Sequence, residues 1–253
     1  MGTESETRAL RVANASGIAF DALDARTEAA LPRWIERGAE SDGEALRPGR
    51  VWRVGDIVVK RVGPERFLRT ASALRAARSA VAVARFDGLA APAPLAALRW
   101  GPVTRARGSL LVSRFVAGSS LLAAWRRDAR AVAAFPAFLA RLHASPFVHG
   151  DLHPENVLWD GTRWLLLDLE ALRARTPFDR RGKLALEQWA RIVRALDEAP
   201  EARALHARYA ELAPRAPGFD AVLAAARALP PIPPERLEAI RAILRGEREH
   251  VPS

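Results

Sequence analysis

No cysteine occurs among the 253 residues, which removes disulfides, thiolate nucleophiles and thiolate metal sites together. Lysine is almost as scarce. Lys60 and Lys183 stand against 37 arginines, and the formal net charge is +10. No apolar run approaches the roughly 18 residues that suggest a membrane span. The first seven residues, Met1 to Thr7, are acidic and carry no apolar stretch, so no signal peptide is expected. A cytoplasmic protein is the default expectation. The sequence also lacks an internal repeat, a His/Cys cluster and a serine-nucleophile motif.

What is present is ordinary globular chemistry. Hydrophobic residues make up 49% and charged residues 27%, enough for one two-lobed domain or two small ones. A basic surface favours polyanionic partners such as a nucleotide, a phosphorylated glycolipid or an acidic membrane face. Most of the arginines read as solvated helix faces. No basic stripe interleaved with aromatics occurs, so nucleic acid is not expected as a partner.

The chain is organised around His149-Gly150-Asp151-Leu152-His153-Pro154-Glu155-Asn156. Asp151 and Asn156 stand in D-x-x-x-x-N spacing, and Asp168 follows the apolar run Trp164 to Leu167. Phosphoryl transfer needs a carboxylate to take the proton of the acceptor hydroxyl, and oxygen ligands to hold Mg²⁺ against the phosphates. One loop supplies Asp151 as the base and Asn156 as a ligand. Val157–Trp159 and Trp164–Leu167 read as a hairpin turning at Asp160-Gly161, which returns Asp168 to Asn156 as the second ligand. His149 reads as a brace for the loop. His153 reads as a support, or as a group near the acceptor. Glu170 shares a strand face with Asp168 if the strand continues, which would let it reach metal or substrate; pairing with Arg173 is the equal alternative.

Residues 149–170, with the helix Phe138–Ala144 feeding them, resemble the catalytic and metal loops of the protein-kinase-like superfamily. The His-Gly-Asp-Leu-His-Pro flavour is similar to that of aminoglycoside-phosphotransferase-like enzymes and lipopolysaccharide-core (Kdo/heptose) kinases. The resemblance implies an α+β, bilobal protein-kinase-like fold, with a β-rich N-lobe over 49–117 and a helical C-lobe over 118–253. Residues 1–48 are left as an extension of uncertain structure. It also implies ATP and Mg²⁺ as cofactors. Lys60, ending a β-branched strand, matches the lysine that contacts the α- and β-phosphates. The strand Leu110–Gly118 is the expected hinge, with Arg114 and Val116 beside the adenine.

Three departures from protein kinases stand out. The helix opened by Gly63-Pro64, running through Phe67, Leu68, Ala71, Leu74 and Ala77, has no mid-helix glutamate for Lys60. Thr70 and Ser72 occupy the positions inspected, and the only acid is Glu65 in the first turn. No G-x-G-x-x-G loop precedes the strand pair Val51–Val54 and Ile57–Val62, which turns at Gly55-Asp56. Only Ala171 to Arg181 separate the metal aspartate's strand from the next helix, with no Ala-Pro-Glu to seat a peptide. The expected acceptor is therefore a sugar, glycolipid or small molecule. A lipopolysaccharide-core-type kinase is the first reading, with peripheral association at an anionic membrane face. An aminoglycoside-type kinase and a pseudokinase-like nucleotide-binding module are the alternatives.

Elsewhere a helix is predicted over Asp21–Arg37, broken or kinked by Pro32. Gly38–Arg50 reads as loop. Further helices are predicted at Leu121–Arg126, at Ala131–Ala144, around Leu184–Leu196, and over 202–248 with a break at Pro230–Pro234.

Overall fold

The computed structural model describes residues 7–64, 70–102, 104–177, 179, 181–196 and 200–245. The chain forms two compact units. One comprises residues 1–85 and 91–116; the other comprises 86–90 and 117–252.

The first unit is built on a seven-stranded antiparallel sheet. In chain order its strands are β1 (Arg8–Val12), β2 (Ala15–Ala19), β3 (Glu44–Arg47), β4 (Val51–Val54), β5 (Ile57–Val62), β6 (Pro94–Trp100) and β7 (Gly108–Arg114). Across the sheet they run β1-β2-β6-β7-β5-β4-β3. Residues 8–19 and 44–47 are thus part of this unit's sheet and not a separate extension. The segment expected to be loop between Gly38 and Arg50 contains β3, an edge strand with all four residues exposed. The β4–β5 hairpin forms as expected, with Val54 opposite Ile57. Gly55 has φ 61° and Asp56 a negative φ. Glycine at the first central position with positive φ belongs to a type II′ turn, whose twist matches the strands.

Helix α1 (Ala25–Arg37) covers one face of this sheet. Asp24 caps it, accepting from the Thr27 backbone N–H at 2.7 Å. The expected break at Pro32 does not occur; the helix runs through it. Pro32 and Glu28 are both exposed, so the Glu28 carbonyl left without its i+4 donor faces water. Leu31, Trp34 and Ile35 of the same helix are buried with Trp52, Val59, Leu98 and Leu110. At about 1.5–3 kcal/mol per buried side chain, that packing outweighs the roughly 3 kcal/mol penalty of an interior proline.

The other face carries α2 (Ser72–Ala84). Its alanines Ala73 and Ala77 pack on Ala97, Leu111 and Phe20. The helix was expected to open at Gly63-Pro64. Pro64 is non-helical, and Glu65, Phe67 and Leu68 lie outside the described residues.

The second unit is mainly helical. It contains α3 (Leu121–Arg127), α4 (Ala129–Ala144), α5 (Arg181–Ala195), α6 (Pro200–Leu212), α7 (Phe219–Ala228) and α8 (Pro234–Leu244). Asp128 ends α3 and caps α4. Its carboxylate also accepts from the Trp159 indole at 2.8 Å, and that bond holds it below the usual carboxylate range. Short strands lie among these helices: β8 (Ser119–Ser120), β9 (Phe147–His149), β10 (Val157–Trp159), β11 (Trp164–Leu166) and β12 (Leu172–Ala174). The β10–β11 hairpin pairs Trp159 with Trp164. At its turn the Asp160 carboxylate accepts from the N–H groups of Thr162 and Arg163. β8 joins β10, and β12 pairs with β9.

Candidate active site

The catalytic loop leaves β9 at His149 and enters β10 at Val157. Both ends are fixed by sheet pairing: Leu172 lies opposite His149, and Leu166 opposite Val157. The Gly150 N–H donates to the Ala171 carbonyl at 2.9 Å. Inside the loop a 3₁₀ turn over Pro154–Asn156 buries Asn156. Its side-chain N–H donates to the Asp151 backbone carbonyl at 2.8 Å. The reversed amide would set two carbonyl oxygens against each other, so Oδ1 is the atom left for a ligand.

His149 is buried and holds two segments together. Its Nε2 donates to the Leu167 carbonyl at 2.9 Å, and its Nδ1 accepts from the Asp151 N–H at 3.3 Å. Those two contacts fix the Nε2–H tautomer. Burial pushes its pKa below the ordinary histidine value, with the Leu167 carbonyl and the nearby carboxylates of Asp168 and Asp151 opposing. A neutral ring is what this geometry needs.

Asp168 has φ 56° and ψ 45°, a left-handed backbone. For a non-glycine residue that costs about 1–3 kcal/mol and persists only where the surroundings impose it. Here the surroundings do. The Leu167 N–H donates to the Asn156 carbonyl at 2.9 Å, the Leu167 carbonyl accepts from His149, and the Asp168 carbonyl accepts from the Ala171 N–H. Asp168 is thereby held one residue from the backbone contact with Asn156. A 3₁₀ turn over Leu169–Ala171 follows. The strand therefore ends at Leu166, and the expectation that Glu170 shares a strand face with Asp168 fails. Arg173, the other expected partner of Glu170, forms a bidentate pair with Asp179.

The Asp151 side chain is 58% exposed, open to an incoming hydroxyl. Arg191 of α5 approaches its Oδ1 at 3.3 Å, and His153 Nε2 lies 3.8 Å from its Oδ2. His153 accepts the Glu155 N–H on Nδ1, so its proton sits on Nε2, toward Asp151. Burial lowers its pKa. Arg236 of α8 reaches Glu155 at 3.3 Å. Sequence reasoning missed Arg191 and Arg236. Only the spacing of Lys183, Glu187 and Arg191, four residues apart on one helix face, hinted at the first.

The nucleotide-contact candidates lie in the first unit. Lys60 is half-buried on β5, opposite Leu111. Cross-strand partners share a face, and Leu111 packs with α2, so Lys60 is on the sheet face that α2 covers. Ser72 is buried in the first turn of α2 and accepts from Arg75. Thr70 is exposed ahead of α2. Arg114 ends β7, its guanidinium 2.8 Å from Asp56 and its N–H bonded to the Ala93 carbonyl. The Phe115 N–H is bonded to the Asp56 carbonyl. The half-buried Val116 follows.

A model of the phosphotransferase enzyme family matches residues 3–178, more than half of the chain. The chain belongs to that family. Its fold is mixed α+β. No curated protein sequence matches it. Among solved structures it is similar to WaaP in complex with acyl carrier protein, at 18% identity and a TM-score of 0.48, covering 81% of this chain and 87% of that one. It is also similar to the bifunctional kinase-methyltransferase WbdD, at 18% identity and a TM-score of 0.42. A second WbdD structure gives 21% and 0.40. The WbdD matches cover 78% of this chain, which spans about half of theirs, 46% and 47%.

Family membership implies a phosphate donor and a divalent metal, and the donor set can be tested for the metal. Asn156 Oδ1 and the Asp168 carboxylate are hard oxygen donors on adjoining, mutually bonded segments. Mg²⁺ takes one or two protein oxygens and fills its octahedron with water and phosphate oxygens. The residues fit. Among the described residues no group of three or more His, Asp or Glu side chains forms a richer cage.

Proposed function

We propose that this kinase transfers the γ-phosphoryl group of Mg-ATP to a hydroxyl of a sugar or glycolipid of the lipopolysaccharide-core type. One observation carries the proposal: an exposed Asp151 is held by its own backbone to both oxygen-bearing residues, Asn156 directly and Asp168 through His149 and Leu167. Asp151 takes the proton of the acceptor hydroxyl as that oxygen bonds to the γ-phosphorus. The bond from phosphorus to the β–γ bridging oxygen breaks, and ADP leaves. Asn156 and Asp168 would hold Mg²⁺, which when bound neutralises phosphate charge. Lys60 is proposed for the α- and β-phosphates. The N–H groups of Arg114 and Phe115 are already bonded to the Ala93 and Asp56 carbonyls, so an adenine contact falls to Val116.

The acceptor reading rests on the surface beside Asp151. A cavity of about 470 Å³ is lined in part by Gly150, Lys183, Glu187 and the paired Arg173 and Asp179, within the roughly 300–1,000 Å³ range of small-molecule sites. Arg191 continues the Lys183–Glu187 face of α5 toward Asp151. Alternating ammonium, carboxylate and guanidinium groups suit a polyhydroxylated acceptor carrying an anionic group. A cavity of similar volume in the first unit, lined in part by Asp24, Arg33, Asp42 and Asp56, includes no residue of the catalytic loop and plays no part in this reading.

An aminoglycoside-type acceptor is the second reading, favoured by the Glu187 carboxylate in the groove. The arginine excess supports peripheral association with an anionic membrane face; among the described residues no helix is long and apolar enough to cross a membrane. The test is Mg-ATP turnover by the full chain against acidic glycolipid, aminoglycoside and protein acceptors. Phosphate appearing on the glycolipid alone supports the first reading. Binding of Mg-ATP with no turnover on any acceptor, and none by hydrolysis, overturns it in favour of a nucleotide-binding module.

A further inference from the structure

Bonded to the first residue of the loop is a row of buried polar side chains that the reaction itself does not use. Gln188 of α5 is 3% exposed, and its Nε2 donates to the His149 backbone carbonyl at 2.8 Å. Its Oε1 lies 2.7 Å from His143 Nε2 on α4. His143 Nδ1 lies 2.7 Å from the hydroxyl of Tyr209 on α6, the single tyrosine of the chain, 1% exposed. Three helices and the strand carrying His149 thus meet in one row of hydrogen bonds.

The direction of every bond follows from its end. The His149 carbonyl can only accept, so the Gln188 amide must present N–H to it and oxygen to His143. His143 must then donate from Nε2, which leaves Nδ1 to accept from the Tyr209 O–H. Turning any one group round sets two acceptors or two donors face to face in a site closed to water. A buried polar group left without its partner costs about 1–3 kcal/mol. Burial holds His143 neutral, its pKa lowered to about 4 against the help of Gln188, and the row requires that neutral ring. His149 continues the same order outward, donating to Leu167 and accepting from Asp151.

We propose that Gln188, held by His143 and Tyr209, is a positioning residue for catalysis: it fixes the height of the His149 backbone, and through the His149 ring the placement of Asp151 and the Leu167–Asp168 backbone. The proposal goes beyond the acceptor reading and stands on the kinase assignment only for its kinetic arm. A polar row in the core of α4–α6 is not needed for packing, since Phe135, Leu139 and Trp189 are buried in the same unit. What it adds is a single permitted orientation for the strand that delivers the base.

The test uses the full chain with Gln188→Glu, an isostere that cannot donate to the His149 carbonyl while ionised, and Tyr209→Phe, which deletes one oxygen. Long-range ¹H–¹⁵N spectra of the histidine rings should show the wild-type His143 and His149 neutral and protonated on Nε2. The Asp151 amide signal should move in both variants. Mg-ATP turnover should fall about 10–100-fold in Gln188→Glu, the usual cost of an outer partner of an active-site ligand, with KM for Mg-ATP within about twofold. Tyr209→Phe should fall less, in the same kcat-only manner. An Nδ1–H tautomer at either wild-type histidine overturns the proposal. So does an unmoved Asp151 amide with unchanged kcat in a folded variant. If Gln188→Glu does not fold, Tyr209→Phe decides by the same two readouts. If the wild-type chain turns over no nucleotide, the kinase assignment fails, and the spectra alone still decide whether the row sets the loop.

Discussion

The Asn156 side-chain amide donates to the Asp151 carbonyl at 2.8 Å, so the residue proposed to offer an oxygen to a metal also holds the residue proposed to take the proton. The two roles should therefore be separable. Asn156→Asp keeps an oxygen for the metal but replaces the donor with an acceptor against a backbone carbonyl. It should lower kcat by about 10–100-fold, the equivalent of the roughly 1–3 kcal/mol cost of a buried unpaired group, while the magnesium dependence survives. Asn156→Ala should lose both. Turnover measured across a magnesium titration distinguishes them, and identical curves for the two variants would refute the split.

Asp168 and Asp151 should fail in different ways. Asp168→Ala should abolish Mg²⁺-dependent nucleotide binding or turnover, because it removes the carboxylate proposed for the metal from a backbone held in a left-handed conformation. Asp151→Asn should leave Mg-ATP affinity within a few fold and slow transfer by about 10²–10⁴, the range for losing a general base. Calorimetry with Mg-ATP and single-turnover rates read the two effects separately. Equal transfer rates for Asp151→Asn and wild type would move the base elsewhere, to Glu170 before His153, whose Nε2 carries the ring proton.

Local signals were legible in the sequence wherever one short segment carried them. The β4–β5 hairpin announces itself through β-branched residues around Gly55-Asp56, and the Asp151–Asn156 spacing lies within a single loop. β1 and β2 did not announce themselves. Their Ala, Ser and Gly content gives little strand propensity, and β2 depends on pairing with β6, about eighty residues away. β3 is exposed on every residue, so no alternation marks it. Pro32 misled because local propensity carried no information about Trp34 and Leu31 packing beneath it. Gln188 was invisible for a related reason: a glutamine within an apolar helix pattern gains its meaning only from what α4, α6 and β9 place around it.

Acid should weaken the fold before the carboxylates titrate. Burial lowers the pKa of His143, His149, His153 and His206, so the folded protein holds these rings neutral where the unfolded chain protonates them near 6.5. The unfolded state then binds more protons below that value, and stability falls as pH falls. For His143 the drop to about 4 corresponds to about 3 kcal/mol at about 1.4 kcal/mol per pH unit. Stability should be level from pH 8 to 7 and decline from about 6.5 toward 4. The lowered carboxylates Asp42, Asp128 and Asp160 contribute at lower pH. Urea unfolding at one-unit intervals of pH measures the curve. A midpoint unchanged between pH 7 and 5 contradicts the neutral, buried rings.

The acceptor's charge should be readable from salt. Arg191 is 39% exposed and 3.3 Å from Asp151, a geometry worth little as a surface ion pair; its guanidinium keeps further N–H groups for an incoming anion. With a net charge of +10, the protein attracts an anionic acceptor at long range, and that attraction is screened beyond about 10 Å at 0.1 M salt. The acceptor KM should rise steeply from low to physiological ionic strength, and the KM for Mg-ATP, held by short-range contacts, should rise far less. Arg191→Gln should raise the acceptor KM and flatten its salt dependence, with the KM for Mg-ATP unchanged. A cationic acceptor would give the opposite sign, because salt relieves repulsion and removing Arg191 relieves it further. Three ionic strengths with each protein suffice. A KM that stays flat or improves with salt in the wild type removes the anionic-glycolipid reading, and a lower KM in Arg191→Gln would assign the groove to a cation.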